Sequence, residues 1–439
     1  MNPFFLKPKN IYDTILNFDN MYPKPYNKYE VDPYTKTRII LLNGAEFEAN
    51  WFSHQFSRHC NNNELRRKIA FTRRIEQQQQ KKLQDLKPID ENILETTISY
   101  EQLAVDLTAR LAQNEPDVNV RNALNFALLE DFDHLYRYSN LLEMDYHILP
   151  EKLVGRYTEI MPARPTISHH RHPYDSIRKY TDYKTADNIT KLNVSIITAA
   201  EQQTMNYYMN IGGYYTSDYG RRLYQEIGMV EEEHVSQYES LMDPNATWLE
   251  RLLLHEYTEC YLYYSCFMFE KDCYIKKLFE EFFEMEIVHL HRAVELLKEY
   301  ECKDWQEVIP DGEFPKLLEL GENIEYVREV IKNTASLTAL EETYVPVCSL
   351  PCDSRFFKYQ NIVNKNVDCV PSHFVIDEYI CRNGMDYRYE IAPNPLENLR
   401  NRKCDNVCVG RATLLLTLNT GFCQYFFIID YNILHKIIL

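Results

Sequence analysis

Between residues 99 and 299 the apolar residues recur at the three-to-four-residue period of an α-helix. Leu103, Leu107 and Leu111 mark one face, and Ala123, Phe126, Ala127, Phe132 and Leu135 resume it after turn-like sequence at Asn114-Glu115-Pro116-Asp117. A second stretch carries Ile196, Ala199, Ala200, Met205 and Tyr208. It continues beyond 212–218 with Ile227, Met229, Val230, Val235 and Leu241. A third carries Leu249, Leu252, Leu253 and the tyrosines of 261–264, then Phe279, Phe282, Phe283, Ile287 and Leu290 beyond Glu270-Lys271-Asp272. The pattern predicts a mainly α fold with three antiparallel helical hairpins, over about 99–144, 191–242 and 246–299. Ser99 with Gln102 predicts a capped start for the first. Asp243-Pro244 predicts an N-cap and first-turn proline for the third.

Outside this block the periodicity weakens. Residues 1–90 read as an N-terminal arm rich in Tyr, Pro, Asn and Lys. It has a short helix near 11–18 and helical stretches at 46–58 and 63–85. The last of these holds Arg66-Arg67-Lys68, Arg73-Arg74, glutamines at 77–80 and Lys81-Lys82, and reads as a solvated face. Residues 91–305 form the predicted bundle. A connection over 146–190, with Pro150, Pro162, Pro165 and Pro173, is long enough to cross the length of a bundle. Residues 306–411 read as one helix, 314–333, and an irregular extension that wraps the bundle. Residues 412–439 turn apolar without Glu: a strand pair, a tail, or sequence foreign to the domain.

Composition narrows the class. At 439 residues with a net charge of −17, the chain is a poor partner for nucleic acid or an anionic membrane surface. Only 11 Gly argue against a glycine-rich nucleotide fold. Twelve scattered Cys, among them Cys260, Cys266 and Cys273 inside predicted helices, favour a reducing compartment over a disulfide scaffold. The N-terminus lacks a signal-peptide core and no run is apolar enough to span a membrane, so a cytoplasmic location is expected.

The polar residues on the apolar faces carry the chemistry. Glu101 stands thirty positions before Asp131-x-x-His134, Glu201 before Glu231-x-x-His234, and Glu256 before Glu286-x-x-His289. A turn at the midpoint brings the lone Glu level with the pair on the returning helix. The i, i+3 step puts carboxylate and imidazole on one face. Two facing hairpins would supply four carboxylates and two imidazoles, a di-iron or di-manganese ligand set. In the first hairpin Glu130 competes with Asp131 for the inward position, and Asp133 adjoins them. The first two hairpins, joined by the long connection, are the preferred pair; Glu256, Glu286 and His289 are the alternate set. Lesser candidates are His54, His59 and Cys60, the His169-His170-Arg171-His172 cluster, and a zinc site from Cys348-x-x-x-Cys352 with Cys404-x-x-x-Cys408.

Glu201 with Glu231-x-x-His234, a second such hairpin and the acidic run Met229-Val-Glu-Glu-Glu-His-Val resemble the ferritin-like di-metal carboxylate superfamily. The likeness is closest to rubrerythrin, with manganese catalase also similar. It covers about residues 95–300 and lacks rubrerythrin's four-Cys module. The resemblance implies a ferritin-like helical bundle holding two Fe or two Mn ions. It also implies bridging roles for the acid of each acid-x-x-His pair, terminal roles for the lone Glu, and nitrogen ligation by His. The expected function is redox chemistry on peroxide or dioxygen, of peroxidase, catalase or oxidase type. A small organic substrate, an electron-donor protein and a homo-oligomer are further expected partners. Tyr207, Tyr208, Tyr263 or Tyr264 are candidate donors of protons or electrons, although core packing explains them as well. The alternatives are a non-catalytic structural or assembly protein with the bundle as scaffold, and, more weakly, metal storage.

Overall fold

The computed structural model describes residues 1–163, 170–365, 369–384 and 386–388. After 3-10 turns at Pro3–Phe5 and Ile11–Thr14, the helices are α1 (Phe18–Met21), α2 (Pro33–His59), α3 (Asn63–Gln84), α4 (Ile93–Asn114) and α5 (Val118–Tyr146). They continue with α6 (Glu151–Val154), α7 (Asn188–Ile211), α8 (Asp218–Glu239), α9 (Trp248–Phe269), α10 (Cys273–Glu301) and α11 (Ile324–Thr334). A two-stranded antiparallel ribbon follows, β1 (Leu337–Leu340) with β2 (Thr343–Pro346) and Leu337 opposite Pro346. Helices α12 (Arg355–Val363) and α13 (Pro371–Asn383) end the described chain. No helix among the described residues is long and apolar enough to cross a membrane.

Four hairpins, not three, make the centre of the molecule. Helices α2 and α3, α4 and α5, α7 and α8, and α9 and α10 pack as pairs across short turns. The α4/α5 pair faces α7/α8 and forms an inner bundle; α2/α3 faces α9/α10 and forms an outer one. The two join where α2 packs on α4 and α7, and α7 on α9. The helix expected over 63–85 is α3, of 22 residues, but the stretch expected over 46–58 is only the second half of α2, which runs for 27. Buried charge hid α2. Its inward face carries Lys36, Arg38 and Glu46, so the apolar stripe is interrupted. Lys36 is neutralised by Glu91 at 2.9 Å and Arg38 by Glu270 at 3.0 Å. The arm proper ends near residue 32.

Caps define the ends. Asn92 and Glu95 close a capping box at α4, and Thr247 and Glu250 close one at α9. Helix α4 therefore starts seven residues before the expected Ser99, whose hydroxyl instead donates to Glu95 O inside the helix. The Asp243 carboxylate accepts from Asn245 N and Tyr183 N, so Asp243-Pro244 makes a turn and α9 begins at Trp248. The helix expected over 314–333 begins only at Ile324, because its first half is non-helical and tied to α9. There Tyr257 and Tyr261 donate to Glu313 O and Lys316 O. Nine cysteines among the described residues are free thiols; Cys260 and Cys266 are buried, but Cys273 is exposed at the start of α10.

The caps also expose a repeat. Asp117 and Asp272 cap α5 and α10, and those helices end at His147 and Cys302, both left-handed at φ 56° and 57°. Each pair, like the two capping boxes, is separated by 155 positions. Helices α2–α5 are thus one copy and α7–α10 the other. Each bundle takes one hairpin from each copy.

Two residues at the junction of the bundles are testable. Gly44 lies where α2 crosses α7, and a Cβ there would approach Gln203 Nε2 to 2.9 Å. Gly44→Leu is expected to lower stability by about 1–3 kcal/mol through overpacking. Gly213→Ala, with nothing within 4 Å of its Cβ, should stay within about 0.5 kcal/mol in urea unfolding. Asp106 on α4 accepts from Tyr34 of α2 at 3.0 Å and Thr158 at 2.6 Å, and burial pushes it up to about 7. A carboxyl raised in the folded state stabilises below its unfolded value and loses that contribution as pH rises. Asp106→Asn should therefore flatten the fall in Tm between about pH 4 and pH 7 relative to wild type. An unchanged slope would show that Asp106 is ionised throughout.

Candidate metal centres

Helices α4, α5, α7 and α8 each send one acidic residue to the middle of the inner bundle: Glu101, Asp131, Glu201 and Glu231. All four are buried, as are His134 and His234 beside them. Both imidazoles meet Glu231, with His134 Nδ1 2.9 Å from one oxygen and His234 Nδ1 3.2 Å from the other. His234 Nδ1 also lies 3.3 Å from Asp131 and 3.6 Å from Glu201. Two groups of closely spaced ligand atoms result. One is Asp131, Glu201, Glu231 and His234; the other is Glu101, His134 and Glu231. Either could hold a metal ion, and they share Glu231.

The electrostatics fit a cation. Glu101 Oε2, Asp131 Oδ1 and both Glu201 oxygens are buried without a hydrogen-bond partner. Burial and neighbouring carboxylates hold Glu101 and Asp131 well above the usual range; burial, offset by His234, leaves Glu201 at about 7. Glu231 is lowered despite its burial, because both histidines face it. His234 is raised well above its ordinary value against its burial, by Glu130, Glu201 and Glu231. Without metal, protons must carry part of the charge. Four carboxylates also match the charge of two divalent cations.

Glu130 and Asp131 separate into two roles. Asp131 faces the other acids, whereas Glu130 sits behind His234 and accepts from its Nε2 at 2.6 Å. Such a carboxylate orients an imidazole and makes its other nitrogen a better ligand. Glu130 is in turn held by Arg171, whose Nη1 donates to it at 3.2 Å and lies 3.3 Å from Glu233. Arg171 comes from the 146–190 connection and is buried. The expected histidine cluster is instead an ionic anchor: His170 lies 3.8 Å from Glu226 and 3.9 Å from Glu233, and His172 caps the turn at Pro173–Ser176. His169 lies outside the described residues. Asp133 pairs with Arg137 and does not join the centre.

The alternate set belongs to the outer bundle. Glu256, Glu286 and His289 meet Glu76 of α3 in a third buried ligand group. His289 Nδ1 is 3.1 Å from Glu286 and 3.5 Å from Glu76. Sequence reading missed Glu76 and the buried Glu46 on α2, although they obey the same rule. Glu46 stands thirty positions before Glu76-x-x-Gln79. Gln in the place of His concealed this fourth copy. Its wider context, Arg66, Arg67 and Arg74, is solvated as expected, but Glu76 and Gln79 point into the core.

Of the four tyrosines considered, two reach a carboxylate. Tyr208 donates to Glu101 and Tyr263 to Glu46. Tyr207 donates to Ile93 O and stacks on Tyr100; Tyr264 packs among Phe267, Phe283 and Phe314. The lesser metal candidates do not assemble. His59 stacks on Trp248 and Cys60 meets Asn62 O. Cys348 and Cys352 are exposed, and Cys404 and Cys408 lie outside the described residues.

The Arg171 plug yields a test. Arg171→Met strands Glu130 and Glu233 in the core and should cost about 3–5 kcal/mol in chemical unfolding. Adding Glu130→Gln and Glu233→Gln should restore most of it. A loss that the double replacement does not relieve would assign the effect to packing instead.

No family model, curated protein or solved structure matches this chain.

Proposed function

We propose that the inner bundle is a di-metal carboxylate centre of the ferritin-like class, and that it performs redox chemistry on dioxygen or peroxide. The observation that carries this reading is the sharing of Glu231 by two ligand groups. One ion would be held by Glu101, His134 and Glu231, the other by Asp131, Glu201, His234 and the same Glu231. Mixed carboxylate and imidazole ligands suit iron or manganese. When bound, such a pair would supply the electrons for reducing dioxygen or peroxide. The chain's own part is to hold charge and protons in place. Glu130 fixes the His234 ring, Arg171 fixes Glu130, and the Tyr208 hydroxyl stands at Glu101 as a proton source. Tyr208 packs on Tyr138 and Tyr224 at centroid distances of 5.2 and 5.6 Å, an aromatic cluster able to pass an electron toward the metals.

A scaffold role is the second reading. Phe5, Phe18 and Tyr29 of the arm are 79%, 89% and 82% exposed, which suits contact with a partner. Metal content separates the two.

The test is metal analysis of protein purified without oxygen and reconstituted with Fe(II) or Mn(II). Glu231→Ala should lose both inner-bundle ions, because it removes the shared ligand. His134→Ala should weaken one. Glu130→Gln should keep both and lower affinity about 10–100-fold. Peroxide turnover or oxygen uptake should vanish with Glu231→Ala. Protein that takes up neither metal rules out the enzyme and leaves the scaffold.

A further inference from the structure

The outer bundle repeats the inner one at an offset of 155 positions. Glu46 corresponds to Glu201, Glu76 to Glu231, Glu256 to Glu101, Glu286 to Asp131 and His289 to His134. The contacts correspond too. His289 Nδ1 lies 3.5 Å from Glu76, as His134 Nδ1 lies 2.9 Å from Glu231. Two positions differ. Gln79 stands in the place of His234, and Glu259 in the place of Ala104.

Both changed positions neighbour Glu286. Gln79 is wholly buried; its Nε2 donates to Glu286 and its Oε1 has no partner. Glu259 is buried with neither oxygen in a hydrogen bond, and its charge is the strongest charged neighbour acting on Glu46. His255 holds Glu259 in position from behind, with Nε2 at 3.2 Å, while its Nδ1 lies 2.8 Å from Glu48. Glu46 Oε2, Glu76 Oε1 and Glu256 Oε2 are also buried without a hydrogen bond. Half a turn of the Gln79 amide would bring its oxygen to face the acids in place of the Nε2.

We propose that the outer bundle holds a second and unlike metal pair. One position is made by His289 and Glu256, the other by oxygen alone, from Glu46, Glu259 and the Gln79 amide, with Glu76 and Glu286 shared between them. The oxygen-only position selects a hard divalent cation of the manganese or magnesium class, because it offers no imidazole to zinc, iron or copper. A cavity of about 240 Å³ is lined by Glu48, Lys191 and the His255 that stands behind Glu259. His255 and Glu48 therefore connect Glu259 with the surface side.

The inference stands apart from the inner-bundle chemistry, because each centre can be emptied alone. The inner centre is removed by Glu231→Ala with His134→Ala in the full chain, and Mn(II) uptake is followed by the resonance signal of the free ion. Two Mn(II) should remain, Glu259→Gln should leave one, and equimolar Zn(II) should displace only one of the two. Gln79→His should make both displaceable by Zn(II). No retained Mn(II) in a chain with native circular dichroism overturns the second centre, whatever the inner one does. Two ions that survive Glu259→Gln, or a zinc competition that Gln79→His leaves unchanged, overturn the oxygen-only position. If the inner double variant does not fold, Glu259→Gln and Gln79→His in the otherwise unaltered chain give the same readings by difference from wild type.

Discussion

Buried carboxylates that outnumber the cationic side chains facing them are the constraint on which the rest of this structure depends. Each ion taken from water into a protein interior costs several kcal/mol even after relaxation. A whole domain is stable by only about 5–15 kcal/mol. The inner bundle buries Glu101, Asp131, Glu201 and Glu231 within reach of one another, and the outer one buries Glu46, Glu76, Glu256, Glu259 and Glu286. Protons are one way out, and burial does hold Glu101, Asp131, Glu46 and Glu256 well above the ordinary carboxylate range. That route weakens as pH rises, since raised carboxyls oppose folding once the unfolded chain has released its protons. Cations neutralise the same groups with their full charge and need no such protons. Elsewhere the chain handles buried charge in pairs, as with Arg171 and Glu130 or Lys36 and Glu91. In the two acidic middles the carboxylates outnumber the imidazoles that face them.

The arrangement of the copies follows from the same requirement. Neither copy, α2–α5 or α7–α10, closes a centre by itself. The α4/α5 hairpin of the first copy completes its ligand set with α7/α8 of the second, and α9/α10 completes its own with α2/α3. The long connection between α5 and α7 makes this exchange possible and also takes part in it. It carries Arg171 into the inner bundle and lays Thr158 on Asp106. The bundles are then tied by close approach, through Gly44 at the α2–α7 crossing and through Tyr34 on Asp106.

Periodicity made most of this visible from sequence. The turns at 115–117, 212–217 and 270–272 fall at the midpoints of the thirty-residue intervals, and the inner centre gathers the residues that the spacing singled out. Three features escaped for separate physical reasons. The first half of α2 buries Lys36 and Arg38 in ion pairs, so its stripe does not look apolar. Glu130 and Asp131 are adjacent on a helix buried all round, so direction could not be read without the neighbour that Glu130 supports. The fourth spacing ends in Gln79, and an amide does not announce a metal position as an imidazole does. The helix starts were misplaced because Ser99 and Asp243 are capping residue types used otherwise: Ser99 bonds back to Glu95 O within α4, and Asp243 accepts from Tyr183 N and Asn245 N. The 155-position offset, visible in Glu46 and Glu201 or Glu76 and Glu231, would have revealed the fourth hairpin had it been tested.

The outer centre also bears on why its acids are present at all. A bundle that had given up metal would be more stable with apolar residues in these places, because a well-packed hydrophobic group replaces a buried charge at no loss or with a gain. Position 104 in the first copy shows the bland solution, a buried Ala. The equivalent position in the second copy is Glu259, one more buried acid added to a cluster that already lacks an imidazole. His255, the counterpart of Tyr100, stands behind it to hold it. An added carboxylate, a neutral oxygen at Gln79 and a supporting histidine are the changes that turn a nitrogen-and-oxygen position into an oxygen one. Loss of function does not require any of the three.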